Sequence, residues 1–221
     1  MLPVEHVLPV PAATPWLMVR GLAFAFSDAP SRPLFNGLNL HIPAGLSWLT
    51  GDDGCGKTTL LRLLAGALQP SAGSVFLHGV DLLQEPAVQR RHVAWWDARD
   101  PAWDSQTARQ IWQTQTLLEP TELAERLAPL IEGLSLAEHA DKPLYQLSAG
   151  GRRKVFIAAA LARQAPLTLL DQPFAALDRP SIEFLLGRLA QLRGPGGHAC
   201  LVADYEAPPG LALDAALDLS A

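Results

Sequence analysis

Eight residues at positions 51–58, Gly-Asp-Asp-Gly-Cys-Gly-Lys-Thr, bring three glycines, a lysine and a hydroxyl into one short stretch of chain. They match G-x-x-x-x-G-K-[ST], a combination suited to holding a polyphosphate. A loop that wraps phosphate must turn its N–H groups inward, through backbone angles that only glycine takes cheaply. Gly51, Gly54 and Gly56 supply those angles. Lys57 is long enough to span β- and γ-phosphates, the Thr58 hydroxyl can ligate Mg²⁺, and a helix opening at Thr58 would aim its positive end at the ligand. Asp52, Asp53, Cys55 and Thr59 complete the expected contact set. The bland alternative is a glycine-rich turn before an ordinary helix.

Two residues in this loop work against an anion. At ~8 Å and an effective dielectric of ~20, Asp52 and Asp53 would each cost up to ~2 kcal/mol, and much less if exposed to solvent. Cys55, beside the helix start, is either a small filler or a thiol made acidic and oxidation-sensitive by its position.

The elements that must hold these groups are legible as periodicities. Residues 46–50 read as a buried strand entering Gly51, and leucines 60, 61, 63, 64 and 68 follow at helical spacing over 58–68. Alternating apolar runs at 17–26 and 38–42, separated by a turn at 28–33, predict strands at a sheet edge. Further strands are expected at 74–78, 92–96, 167–170 and 199–203, with helices at 149–163 and 181–192. Between 98 and 144 the texture changes. There Ile111, Leu117, Leu118, Leu123, Leu127, Leu130 and Ile131 recur mostly at three or four, which predicts a helical lobe inserted into an α/β core.

This layout places two more groups. Asp171, after an apolar strand, falls at the carboxyl end of the sheet beside the loop, where a carboxylate for Mg²⁺ is needed. Ser148, Ala149, Gly150 and Gly151 open a helix, so their N–H groups form a second anion site, although a plain N-cap serine would look the same.

Composition narrows the classes. With 221 residues the chain can bury one good core, and 17 basic against 22 acidic side chains leave it at −5. The basic clusters Arg90–Arg91 and Arg152–Arg153–Lys154 are too short for a nucleic-acid footprint, so no nucleic-acid partner is expected. Although 49% of residues are hydrophobic, no run of about 18 to 20 escapes a charge, Pro or Gly, so no membrane span is expected. Residues 1–15 carry Pro3, Pro9, Pro11 and Pro15 and no Lys or Arg. They read as a flexible lead-in rather than a signal peptide. Two cysteines make no disulfide framework and fit a reducing cytoplasm, and the six histidines lack ligand spacing.

The polyphosphate loop alone leaves kinases, GTPases, RecA-like motors and transporter ATPases open. The downstream residues resolve this. Leu147-Ser-Ala-Gly-Gly151 before a helix, Leu167-Thr-Leu-Leu-Asp-Gln-Pro173, and Ala176-Leu-Asp178 resemble the ATP-binding-cassette (ABC) family in order and spacing. In that family's terms they are the signature motif, the Walker B strand and the D-loop, and the resemblance runs from Leu17 onward. It implies a P-loop NTPase (RecA-like) α/β core with an antiparallel β edge, as one domain over 16–221 whose helical lobe spans 92–160. It also implies ATP and Mg²⁺ as cofactors, with Phe26 stacking on adenine. The family solves the problem of two anion sites on one chain with a head-to-tail dimer, in which Ser148, Gly150, Gly151 and Asp178 serve the partner's ATP. The implied partners are a transmembrane permease subunit and a second ABC ATPase, identical or different. The implied location is cytoplasmic, peripheral on the inner membrane face. Within the family, the short form with Leu147-Ser-Ala-Gly and Asp171-Gln-Pro-Phe-Ala-Ala-Leu-Asp178 is similar to the haem-exporter ATPase of cytochrome c maturation.

Three positions depart from the family. The glutamate expected after the Walker B aspartate is Gln172, which can orient a water but cannot take its proton. The histidine expected after strand 199–203 is Asp204, and the Q-loop stretch 95–100 contains no glutamine. Turnover at this chain's own loop is therefore expected to be slow. The alternative function is a nucleotide-binding switch, or a degenerate subunit that completes a catalytic partner. The tryptophans at 95, 96, 103 and 112 either pack the helical lobe or form the groove that grips a membrane partner.

Overall fold

A computed structural model describes residues 16–84, 89, 91–115, 119–192, 194 and 197–220. The lead-in at 1–15, Leu117 and Leu118 of the helical periodicity, Arg90 of the Arg90–Arg91 pair and Ala221 lie outside the described residues.

The alternating apolar runs form an antiparallel sheet. It contains β1 (Leu17–Phe24), β2 (Phe35–Ile42), β4 (Ala72–Leu77) and β5 (Val80–Asp81), in the order β2-β1-β4-β5. β2 begins at Phe35, earlier than the apolar count placed it, because Phe35 pairs with Phe24 across the turn. The second sheet is parallel, in the order β6-β7-β8-β3-β9. Its strands are β3 (Gly45–Thr50), β6 (Val93–Ala94), β7 (Leu167–Asp171), β8 (Ala199–Ala203) and β9 (Ala215–Asp218). Side chains of β3, β7 and β8 are buried almost throughout, as a parallel sheet covered on both faces requires.

Period-two alternation sorts the parallel sheet between two cores. Leu49, Leu167, Leu169, Leu201 and Ala203 face the antiparallel sheet and α1 (Lys57–Leu64). Trp48, Leu170, Cys200 and Val202 face the helices α2 (Ala108–Gln115), α3 (Pro120–Gly133), α4 (Ala149–Arg163) and α5 (Arg179–Ala190). The antiparallel edge and the inserted helices thus clamp one α/β sheet. Among the described residues no helix is long and apolar enough to cross a membrane.

α1 is shorter than its leucine spacing suggested. It starts at Lys57 and stops at Leu64, because Gly66 takes φ +74° and closes the helix end. Gly66 N–H donates to Leu63 O at 3.1 Å, and Ala67 N–H to Arg62 O at 2.9 Å. The tryptophan group also divides. Trp112 is buried and donates to Val155 O at 3.0 Å, Trp103 packs edge-on against Phe156, and Trp96 joins the same core. Trp95 packs on the opposite core.

Leu130 of α3, 1% exposed, belongs to the core shared by α2, α3, α4 and α5. Leu130→Ala should cost about 2–5 kcal/mol in urea unfolding followed by circular dichroism. A loss below 1 kcal/mol would show that α3 contributes little to the cooperative unit.

Candidate functional site

The polyphosphate loop leaves β3 and turns into α1 through glycines that need left-handed backbone. Gly56 has φ +107°, and a Cβ there would lie 2.8 Å from the Phe35 ring. Gly51, Gly54 and Gly56 all take positive φ, as the spacing predicts. Lys57 is 6% exposed and curls over the loop, donating from Nζ to Gly51 O at 2.5 Å and Asp52 O at 3.0 Å. Its ammonium also sits 5.2 Å from the centroid of the Tyr205 ring, within cation–π range. Asp52 and Asp53 are exposed, which puts their charge penalty at the solvent-screened end. Cys55 Sγ lies 3.9 Å from Lys57 Nζ.

The register of the parallel sheet delivers the other groups. Asp171 pairs with Ala203, and Ala203 pairs with Leu49, so the carboxyl ends of β7, β8 and β3 stand level. Gln172 N–H donates to Ala203 O at 2.7 Å and Asp204 N–H to Leu49 O at 3.1 Å, continuing the ladder one residue beyond the strands. At this edge Thr58 Oγ donates to Asp171 Oδ2 at 2.8 Å. Asp171 Oδ1 is buried and has no partner among the described residues. A hydroxyl and a carboxylate oxygen side by side, with a second oxygen unsatisfied, is a hard-donor set that fits Mg²⁺. Among the described residues there is no cluster of three metal-ligating side chains. Mg²⁺ suits such a site, since it commonly takes one carboxylate and relies on phosphate oxygens for the rest.

Some of these groups line an open cleft of about 890 Å³, counting its solvent-filled mouth, while Gly51, Asp52, Cys55 and Asp171 lie outside its lining. Phe26, Asp53, Gly54, Gly56, Lys57, Thr58, Thr59 and Gln172 meet there, with Phe26 43% exposed. Leu34 lines it too, as do two polar residues that sequence reasoning missed, Arg99 and Tyr205. Tyr205 donates its hydroxyl to Asp53 Oδ1 at 2.7 Å and interacts with the Gln172 side chain. Asp204 itself does not line the cleft. Its Oδ1 accepts Tyr205 N–H at 2.9 Å. Arg99 donates to Asp171 Oδ2 at 3.3 Å. The sequence signal for both was position alone, one residue past Asp204 and within the glutamine-free stretch 95–100.

Ser148, Gly150, Gly151 and Asp178 stay outside this cleft. Ser148 caps α4, its Oγ accepting Gly151 N–H at 3.0 Å. Gly150 is buried beneath Ala176, where a Cβ would come 2.1 Å from the Ala176 carbonyl. Asp178 pairs with Lys154 at 2.5 Å, and this bond holds its carboxyl below the usual range. The turn between β7 and α5 carries two non-glycine residues in left-handed backbone, Gln172 (φ 45°) and Ala176 (φ 62°). Arg153 braces that turn by donating to Ala175 O at 2.5 Å.

Burial raises the Asp204 carboxyl above its ordinary range, with the Asp171 charge acting in the same direction against Lys57 and Arg153. An acid whose folded pKa lies above its unfolded value costs nothing below the unfolded one, and destabilises the fold increasingly as pH rises from there to the folded pKa, above which the cost is full. Asp204→Asn should therefore stabilise the protein at pH 7, by about 1 kcal/mol or less because the group is only half-buried, with the gain fading towards pH 4. Thermal melts across that range check it, and a destabilised variant at pH 7 would contradict it.

Comparison with known proteins yields several likenesses. A family model described as ABC transporter matches residues 35–175. The cytochrome c biogenesis ATP-binding export protein CcmA of Pseudomonas syringae pv. syringae is 37% identical over 188 residues, 84% of this chain and 86% of that protein. The CcmA of Rhodopseudomonas palustris is 35% identical over 198 residues, covering 89% and 94%. The putrescine transport ATP-binding protein PotG of Escherichia coli is 36% identical over 171 residues, 76% of this chain and 45% of that one. Among solved structures, an ATP-binding subunit of an ABC transporter superposes with a TM-score of 0.74 at 23% identity, covering 85% and 79%. A dimeric ATP-binding cassette in a post-hydrolysis state with ADP and Pi does so at 0.68 and 21%, covering 86% and 88%.

Proposed function

This chain belongs to the ABC transporter family, as an ATP-binding subunit with likeness to CcmA, and from that premise we propose that it binds Mg-ATP at a dimer interface, hydrolyses it slowly, and serves a membrane permease. The observation that carries the reading is the single cleft in which the glycine loop, Lys57, Thr58 and Gln172 converge beside Asp171. Residues 16–221 are read as one ABC domain with the helical lobe over 92–160.

In this reading adenine stacks on Phe26, and the N–H groups of 51–58 and the α1 N-terminus receive the phosphates. Lys57 exchanges the Gly51 and Asp52 carbonyls for β- and γ-phosphate oxygens, which offer charge-assisted bonds. Thr58 and Asp171 hold Mg²⁺, which when bound neutralises charge on the phosphates. Gln172 stands where a water-activating base would act, but its amide has no basic site. Ser148, Gly150, Gly151 and Asp178 lie outside this cleft and in this reading serve the ATP of a second subunit, identical or different. That partner could carry the base that this chain lacks, and the subunit would then regulate or complete it rather than hydrolyse.

The working place of such a subunit is the cytoplasmic face of a membrane, peripheral to its permease. The names of its relatives, an ATP-binding export protein and a putrescine transport protein, describe transport.

The deciding experiment measures ATP binding and ATP turnover by the purified chain beside Gln172→Glu. The expected result is tight binding with very low turnover, and a gain of about a hundredfold or more from Gln172→Glu, within the 10²–10⁴ typical of general-base catalysis. Robust turnover by the unaltered chain would overturn slow hydrolysis. Turnover appearing only when a second cassette protein is added would identify the completing role.

A further inference from the structure

Arg99 has no part in the reading above, yet it lines the cleft with Lys57, Thr58 and Gln172. Its Nη2 lies 3.3 Å from Asp171 Oδ2, the oxygen that also accepts from Thr58 Oγ. The backbone behind it is anchored. Asp97 Oδ1 accepts the Arg99 N–H at 2.9 Å and faces its Nε at 3.8 Å, while Asp97 Oδ2 is tied to Arg62 of α1 at 2.5 Å. Burial would lift the Asp97 carboxyl, but the Arg62 bond, the Arg99 N–H and both guanidinium charges hold it below its ordinary range. The anchor is therefore charged at neutral pH.

The head of Arg99 is free to exchange partners. Its side chain is 65% exposed, so its bond to Asp171 is a solvent-screened ion pair of small net worth. A guanidinium is permanently charged, planar and forked to match carboxylate or phosphate oxygens. The charge balance of the cleft also calls for a second cation. Asp53 lines it and Gln172 brings no charge, so apart from Arg99 the one cationic side chain among its described lining residues is Lys57. The Arg153 guanidinium is engaged at the Ala175 carbonyl and lies outside the cleft lining.

We propose that Arg99 is a phosphate-binding residue of this cleft. It transfers from the Asp171 carboxylate to the terminal phosphate of a nucleoside triphosphate when Thr58 and Asp171 take Mg²⁺, and so sets a preference for triphosphate over diphosphate. The inference rests on the nucleotide-binding reading of the cleft.

Calorimetric titration of the full chain with Mg-ATP and with Mg-ADP tests it, comparing the unaltered protein with Arg99→Gln, Arg99→Lys and Lys57→Ala. Arg99→Gln should weaken Mg-ATP binding about tenfold or more, the loss of one charge-assisted bond, and leave Mg-ADP within about twofold. Arg99→Lys should fall between, keeping charge without the fork. Lys57→Ala should weaken both nucleotides. If Arg99→Gln weakens both nucleotides equally, changes neither, or strengthens ATP, Arg99 is only the ion-pair partner of Asp171 and the proposal fails while the cleft reading stands. If the unaltered chain binds neither nucleotide, the cleft reading fails first and takes the proposal with it. Because the Arg99 side chain is exposed, circular dichroism of Arg99→Gln should match the unaltered protein, so a lost ATP preference would not be an unfolding effect.

Discussion

The 2.8 Å hydrogen bond from Thr58 to Asp171 is the point on which the phosphate end of the molecule depends. It joins residues 113 apart in sequence and can form only if β7 and β3 end at the same height on either side of β8. Parallel pairing enforces that height through the shared partner Ala203, and buried strands on both faces hold the register. The antiparallel sheet and α1 press on one side and the four helices on the other. Loss of packing on either face would therefore reach the site through the sheet edge.

Much of this was legible in the sequence, for physical reasons that differ by element. β3, β7 and β8 are short apolar runs bounded by glycine or an acid, and the loop between β3 and α1 declares its backbone through its glycines. β9 was not legible, because Ala-Ala-Leu-Asp lacks β-branched or aromatic residues and is a strand only by adding to the edge of β3. The end of α1 was misjudged because Leu68 extended the apolar spacing, whereas the left-handed requirement at Gly66 decided the matter. In the site, glycine, lysine and hydroxyl positions were readable because motif spacing carries them. Arg99 and Tyr205 were not, since each reaches the cleft from a loop whose path is set by tertiary contacts such as Asp97 with Arg62.

Charge is unevenly placed around this cleft. Gln172 lines it without charge, Arg99 lines it as a cation, and the half-buried acid Asp204 lies just outside the lining. Tyr205 occupies the cleft next to Asp204 and links three of the elements around it, through Asp53, Gln172 and the face of Lys57. An aromatic ring therefore faces the loop lysine from this side, and it holds a cation without offering a proton acceptor.

Arg152, in the first turn of α4, is bonded to the Ala98 and Asp100 carbonyls and to the Asp104 carboxylate. Asp97, one residue before this stretch, is bonded to Arg62 of α1. Residues 97–104 are therefore a tie rod with one end pinned to the helix that follows the glycine loop and the other to the helix that Ser148 caps. A rotation of α4 against α1 cannot leave this segment at rest. It must either drag Arg99 across the mouth of the cleft or pull the rod from one of its pins.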